Sequence, residues 1–373
     1  MLRSVKATEL KEVVREMLYE ISQRAMELES EGKKIIKLNV GDPDQPTPKE
    51  IIDAAFEAMK QGKTKYSFYA GEKTLREKLA SIHNVSAENV VIIPGSKWAF
   101  FSIMYLLLKN GGNIVIPAPY WTAYELAAKS LGVETRFLRT EIDSNWKIDT
   151  EKLRSLIDQK TRLLILNNPN NPTSKVIEKS LLEEIVEVAN DKKVAIMSDE
   201  VYRDLSFVRT KSILDFGGNH ILVNSFSKTF AMTGWRIGYV IVGEELAGKM
   251  VKLNQMTFTN IPVFVQEAAL KALELKQKIA AGMRKLYRRR ADLACKVLSK
   301  TGLKFTKPDA PFYFFPKYDN LDSERFAFDL LDNGVALTPG TSFGDYREHF
   351  RIALTMPEEE IKLGLEKICE ALQ

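Results

Sequence analysis

The chain has only two cysteines among its 373 residues, Cys295 and Cys369, and they lie far apart. Neither a disulfide framework nor a cysteine-based metal site is expected, and a reducing cytoplasm is the natural location. Histidine is nearly as scarce. His83, His220 and His349 show no ligand spacing, which argues against a metal hydrolase and predicts no bound metal. Long apolar runs are missing too. The longest, Trp98 to Leu108, contains Ser102 and is about half a membrane span, so it reads as a buried helix. The opening MLRSVKATELKEVVREM has charges throughout and no apolar h-region, so no signal peptide is expected.

Charge of one sign is also lacking. The 54 Lys+Arg against 49 Asp+Glu leave +5, spread along the chain, which suits small anionic ligands and does not indicate nucleic acid. The densest basic run, Arg284, Lys285, Arg288, Arg289 and Arg290, reads as a solvated helix face. No internal repeat or low-complexity segment is present. No G-x-G-x-x-G follows an early strand, and Gly111-Gly112 precedes one instead, which counts against a nicotinamide dehydrogenase.

What is present is an alternation of short apolar runs with helical patterns between about 90 and 242. The strand candidates are Val90–Ile93, Ile114–Pro117, Glu134–Leu138, Leu163–Leu166, Val194–Met197, Ile221–Val223 and Ile237–Val242. Most are continuous apolar runs, as expected of a sheet covered on both faces, and segments such as Ser180–Ala189 supply the covers. This is a three-layer α/β/α architecture. Residues 9 to 31 read as a helix, and 262 to 299 as a long helical connector. Strands Phe312–Phe315 and Arg351–Leu354 and helices Glu324–Leu331 and Glu358–Leu372 then form an α+β end. We assign 46–285 to a large domain, with 1–45 and 286–373 forming a smaller α+β domain from both termini.

In such sheets ligands bind beyond the carboxyl ends of the strands. Reading just past each strand gives Gly95-Ser96-Lys97, Tyr120-Trp121, Asn167–Ser174, Ser198-Asp199-Glu200-Val201-Tyr202 and Asn224-Ser225-Phe226-Ser227-Lys228. Helix amides, hydroxyls and the nearby Arg236 suit a phosphate, while an acid, an aromatic face and an amine suit a charged heteroaromatic cofactor. Taken singly, each has an ordinary alternative. Asp199 could cap a helix, Gly95-Ser96 could be a simple N-cap, Trp121 could be core, and the Asn-Pro run could be turn chemistry. Their convergence on one sheet edge is what those alternatives do not explain.

The string SFSKTFAMTGWRIGY (Ser225–Tyr239) resembles the cofactor-lysine signature of class I/II aminotransferases of pyridoxal-5′-phosphate (PLP) fold type I. NNPNNPT, SDEVY, PYW, FRIAL, LNVGDPD (Leu38–Asp44) and KTKYSFYAG (Lys63–Gly71) match in order and separation, so the resemblance covers nearly the whole chain. It implies a PLP enzyme, aspartate aminotransferase-like, that moves an amino group between an amino acid and a 2-oxo acid. By resemblance, Lys228 links covalently to the PLP aldehyde and serves as general base. Asp199 pairs with the ring nitrogen, and Asn171 and Tyr202 hydrogen-bond the phenolic oxygen. Trp121 stacks on the ring. Gly95, Ser96, Lys97, Ser225 and Arg236 surround the phosphate, joined by Tyr66 from a second subunit, which implies a homodimer with shared sites. Arg351 clamps the substrate α-carboxylate near the Gly41 backbone, with Trp121 and Asn171 beside it. Lys97 has a second reading, as the group that meets a distal carboxylate.

The chain departs from the family pattern at Ser174, where Gly is common after Asn-Pro-Thr, and at Ala310-Pro311-Phe312-Tyr313, where Gly-Ala-Phe-Tyr is common. Aspartate with 2-oxoglutarate is the expected pair, with aromatic amino acids or alanine as alternatives. A carbon–sulfur β-lyase on the same scaffold shares the lysine, aspartate and arginine. A non-enzymatic PLP-binding regulator would usually add a winged-helix domain, for which the chain has no room.

Overall fold

In the computed structural model, which describes residues 17–373, the apolar runs become seven strands. They are β1 (Val90–Ile93), β2 (Asn113–Ala118), β3 (Glu134–Arg139), β4 (Thr161–Asn167), β5 (Ala195–Asp199), β6 (His220–Ser225) and β7 (Gly238–Ile241), in the spatial order β1-β7-β6-β5-β4-β2-β3. Strand β7 runs antiparallel to both neighbours, and the other pairs are parallel. Six carboxyl ends therefore share one edge.

Alternate residues of these strands enter different cores. Val90, Ile92, Val115, Leu164, Leu166, Ile196, Leu222 and Ile241 pack with helices Lys49–Lys60, Lys73–His83, Lys179–Asp191 and Val263–Glu274. Val91, Ile93, Ile114, Ile116, Leu163, Ile165, Met197 and Val223 pack with Ser96–Leu108, Ala123–Ser130 and Glu244–Met256. With both faces buried, the strands gain nothing from polar alternation, which explains their unbroken hydrophobicity. The protein has the three-layer α/β/α fold.

A further core joins the two ends of the chain. Ile21, Ala25 and Leu28 of helix Met17–Ser30 meet Ala294 and Leu298, Leu330 and Leu331 of Ser323–Asp332, and Ile361, Leu365 and Ile368 of Glu358–Ala371. Ile36–Lys37 pairs parallel with Val335–Ala336, and Phe350–Ala353 lies between Thr338–Pro339 and Tyr313–Phe314. Of the helix read over 9–31, residues before 17 lie outside the described residues.

Two readings need correction. The helical stretch 262–299 is two helices, Val263–Glu274 and Lys276–Leu298, meeting at Leu275. Their buried stripes face different cores: Ala268, Ala269 and Ala272 face the sheet covers, while Ala291, Ala294 and Leu298 face the terminal body, so one straight rod cannot serve both. The basic run is not simply a solvated face. Arg284 and Arg288 donate to the carbonyls of Asp204 and Phe207, and Arg289 pairs with Glu358. Arg290 is buried and grips both oxygens of Asp44 at 2.7 Å. Lys285, Arg288 and Arg289 are exposed, Arg284 is half-buried and only Arg290 of the five is buried.

Candidate active site

Register brings the first group together. Gly238 opens β7 between Ser225 of β6 and Ile93 of β1, so the segments following Ile93 and preceding Gly238 meet at one corner. Gly95 there has φ 83° and ψ 163°, a conformation essentially restricted to glycine, and caps helix Ser96–Leu108. A Cβ on Gly95 would lie 2.6 Å from Arg236 Nη2, so the missing side chain is what lets the guanidinium approach the helix N-terminus. Among the described residues Arg236 donates to the carbonyls of Thr233 and Pro94, and Ser225 Oγ accepts from the Ser227 amide. A cation, hydroxyls and a helix N-terminus in one corner can hold a phosphate dianion.

The carboxyl ends of β5 and β6 supply the second group. Asp199 lies inside the strand rather than beyond it and is fully buried with no ion-pair partner among the described residues. Burial pushes its carboxyl up to about 7, against the lowering pull of the Tyr124 hydroxyl (2.7 Å) and the Val201 amide. Burial and the neighbouring Asp199 push Tyr124 well above its ordinary range, so it remains a donor. Lys228 Nζ donates to the Gly41 carbonyl at 2.6 Å. Trp121 is half-buried and meets Phe100 and Tyr124 edge-on, presenting a flat wall.

The third group straddles the two bodies. Arg351, 2% exposed, donates to Asn171 Oδ1 at 3.0 Å and to the Asn39 carbonyl, with Thr338 Oγ1 at 3.5 Å. Its guanidinium lies over the rings of Tyr313 (4.5 Å) and Phe343 (4.9 Å). Nε has no hydrogen-bond partner, and no carboxylate pairs with this cation among the described residues. Burial lowers its pKa, the cost of an uncompensated charge. Such a cation can receive a small carboxylate. Asn171, whose backbone amide donates to Asn167 Oδ1 at 2.6 Å, accepts from Arg351 through its side-chain oxygen. Tyr202 Oη lies 3.1 Å from Tyr313 Oη.

Thus Gly95, Ser96, Ser225 and Arg236 share the corner, Asp199 at the end of β5 lies near Lys228 and Gly41, and Asn171, Tyr202 and Arg351 meet at the seam. Lys97 stands apart at the mouth, donating to Tyr19 Oη at 3.2 Å with Nζ 5.4 Å from the Trp121 ring. Tyr66 is 88% exposed. Sequence reading missed Tyr124, Asn39, Thr338 and Tyr313. Tyr124 had a signal, since it lies three positions after Trp121 in the helix that opens just beyond it, and the two rings meet edge-on. The others reach the site only through the terminal body.

The model of aminotransferase class I and II matches residues 33–368. This chain belongs to the aminotransferase class I and II family. It is 34% identical to the aspartate aminotransferase of Thermococcus kodakarensis, over 95% of this chain and 93% of that one. It is 36% identical to the (5-formylfuran-3-yl)methyl phosphate transaminase of Methanocaldococcus jannaschii, over 93% and 94% respectively. The structure of Thermus thermophilus aspartate aminotransferase with maleate superposes with a TM-score of 0.94 at 30% identity, covering 99% of this chain and all of that one.

The chain is a PLP-dependent aminotransferase, of PLP fold type I. Its own geometry fits the cofactor: a glycine cradle for an anion under Arg236, a buried acid with no ion-pair partner among the described residues, and the Lys228 amine, which donates to the Gly41 carbonyl and pairs with no carboxylate among them. Among the described residues no group of side chains could hold a metal ion, and no helix is long and apolar enough to cross a membrane.

Proposed function

We propose that the protein transfers the amino group of a dicarboxylic amino acid, aspartate, to 2-oxoglutarate, with the residues of this cleft in the following roles. Gly95, Ser96, Ser225 and Arg236 hold the cofactor phosphate, with Tyr66 of a second copy completing the corner. Asp199 faces the ring nitrogen: a carboxyl that burial makes costly to ionise alone becomes an ion-pair partner for a protonated ring, and Tyr124 holds it in place. Asn171 and Tyr202 donate to the phenolic oxygen, and Trp121 covers one ring face. When bound, PLP supplies an electron sink for the pair left as the substrate Cα–H bond breaks.

Arg351 orients the substrate by its α-carboxylate, its fork matching two oxygens at once. Lys228 would form the covalent link to the cofactor and, once free, would take the Cα proton at Nζ and pass it on within the same half of the cycle, moving a proton the opposite way in the other half. Gly41, whose carbonyl holds Lys228 Nζ, lines the same space. The observation that carries the substrate choice is a second cation. Lys97 has no carboxylate partner among the described residues and lies against Trp121 at the mouth, available to a distal carboxylate.

The same reading makes the enzyme a cytoplasmic homodimer. Supporting it are the exposed Tyr66, Phe68, Ile52 and Phe56, apolar surface that a monomer would leave wet. It also divides the chain into 46–285 and the paired ends 1–45 and 286–373, in keeping with the separate core at the termini. The test mixes yellow holoenzyme with single amino acids and follows loss of the cofactor band. Aspartate and glutamate are expected to bleach it fastest, and Lys97→Met is expected to slow aspartate roughly tenfold while sparing alanine. Faster bleaching by aromatic acids or alanine overturns the assignment. Lys228→Ala retains noncovalent cofactor but loses nearly all turnover; wild-type rates in it would refute the central role.

A further inference from the structure

The two places where the chain departs from its family's common pattern touch each other. Ser174 has φ 53°, a left-handed conformation that favours the Gly usual there. What the serine adds is a hydroxyl that donates to the Pro311 carbonyl and accepts from the Tyr313 amide, both at 3.2 Å. Its carbonyl accepts from the Asp309 amide at 3.0 Å. Phe312 between them has φ 86°, and its carbonyl is held by the Leu354 amide. The loop 309–313 is thus pinned to the Asn167–Ser174 segment, and the pinning fixes where Tyr313 goes.

Tyr313 is buried at the seam. Its ring lies under the Arg351 guanidinium, and its hydroxyl is so close to Gly41 that any Cβ there would overlap it. That hydroxyl is 3.1 Å from Tyr202 Oη. A phenol has one proton and two acceptor positions. If the Tyr202 proton goes to the cofactor's phenolic oxygen, its own oxygen is left to accept, and Tyr313 is the neighbour in reach. We propose that Tyr313 is a positioning residue: its hydroxyl donates to Tyr202, commits the Tyr202 proton to the cofactor and strengthens that donation through the chain of two phenols. This rests on the role assigned to Tyr202 above. Burial and the adjacent Tyr313 and Asp199 keep Tyr202 protonated across working pH, as a donor in such a chain must be.

The test is a pH titration of the cofactor absorption band in holoenzyme. Stronger donation favours the phenolate and lowers the pH at which the lysine-linked cofactor loses its proton. Tyr313→Phe keeps the ring and loses only the hydroxyl, so it should raise the titration midpoint by roughly half to one pH unit. Tyr202→Phe should raise it further, and the double variant should match Tyr202→Phe alone, because the second phenol acts only through the first. Tyr313→Phe should leave KM within about twofold, whereas Tyr313→Leu, lacking the ring under Arg351, should raise KM severalfold. A Tyr313→Phe midpoint equal to wild type, or an equal shift in both backgrounds, overturns the proposal. If Tyr202→Phe itself leaves the midpoint unmoved, the Tyr202 assignment falls first and this one with it.

Discussion

Among the described residues Arg351 is held by neutral acceptors, the Asn171 side chain, the Asn39 carbonyl and Thr338, and by two aromatic faces. Its charge is therefore left for a ligand. Arg351→Lys keeps the charge but loses the fork, and Lys cannot satisfy Asn171 and a bidentate carboxylate together. The expected result is a loss of about 10- to 100-fold in kcat/KM with the cofactor still bound, measured by steady-state kinetics alongside the absorption spectrum. Gly95 makes a complementary case. Gly95→Ala meets both the glycine-only backbone and Arg236 Nη2, so cofactor affinity should fall by roughly 10-fold or more, as read by equilibrium dialysis, with substrate KM little changed in fully loaded enzyme. The placement of Gly95, Asp199 and Lys228 at one sheet edge was legible in the sequence because each follows or ends a strand, and the sheet fixes where strand ends lie. Tyr313 and Asn39 were not legible, because they belong to segments brought in by a different core more than a hundred positions away.

The seven strands were legible to within a few residues because burial on both faces leaves unbroken apolar runs. Their direction was not. Nothing in Gly238–Ile241 marks it as antiparallel, since direction depends on the short return from β6 rather than on composition. The helical run from 263 to 298 shows a similar limit, since hydrophobic spacing continues through Leu275 while the buried face changes partner. Arg290 on the second helix was read as solvated because sequence supplied no acid nearby, and Asp44 reaches it only through the fold. Burial raises the Asp44 pKa, and the Arg290 bond and charge outweigh that and hold it below the usual value. The lowered pKa makes this pair stabilising above the unfolded carboxylate pKa and progressively lost as pH falls below it. Asp44→Ala leaves a buried guanidinium with only the Leu354 carbonyl, so it should destabilise by about 3 kcal/mol. Urea unfolding of the variant against wild type measures it, and an equal midpoint would show that the pair adds nothing.

For the whole molecule, the three histidines set a common acid sensitivity. Burial lowers all three pKa values, to about 4 for His83 and His349 and in the same direction for His220. His349 is the extreme case: it is buried, neither ring nitrogen has a hydrogen-bond partner, and the ring stacks on Phe315 at 5.0 Å near Trp146 and Tyr346. Lys317 and Arg139 add to the cost of charging it, and Glu348 opposes them. A group whose folded pKa is depressed contributes nothing adverse above its unfolded value of about 6.5. Below that pH the unfolded chain takes up a proton that the folded one refuses, so stability falls until the folded pKa near 4 is reached. Asp199 and Glu200, whose pKa values burial raises, contribute slopes of opposite sign, so total stability does not isolate the histidine. The difference between wild type and His349→Phe does. Phenylalanine keeps the stack on Phe315 and removes the titrating nitrogen. Between pH about 6.5 and about 4 the wild type should lose up to about 3 kcal/mol relative to the variant, with no divergence above pH 7. Parallel thermal midpoints across that range would mean that His349 finds a partner or solvent when charged.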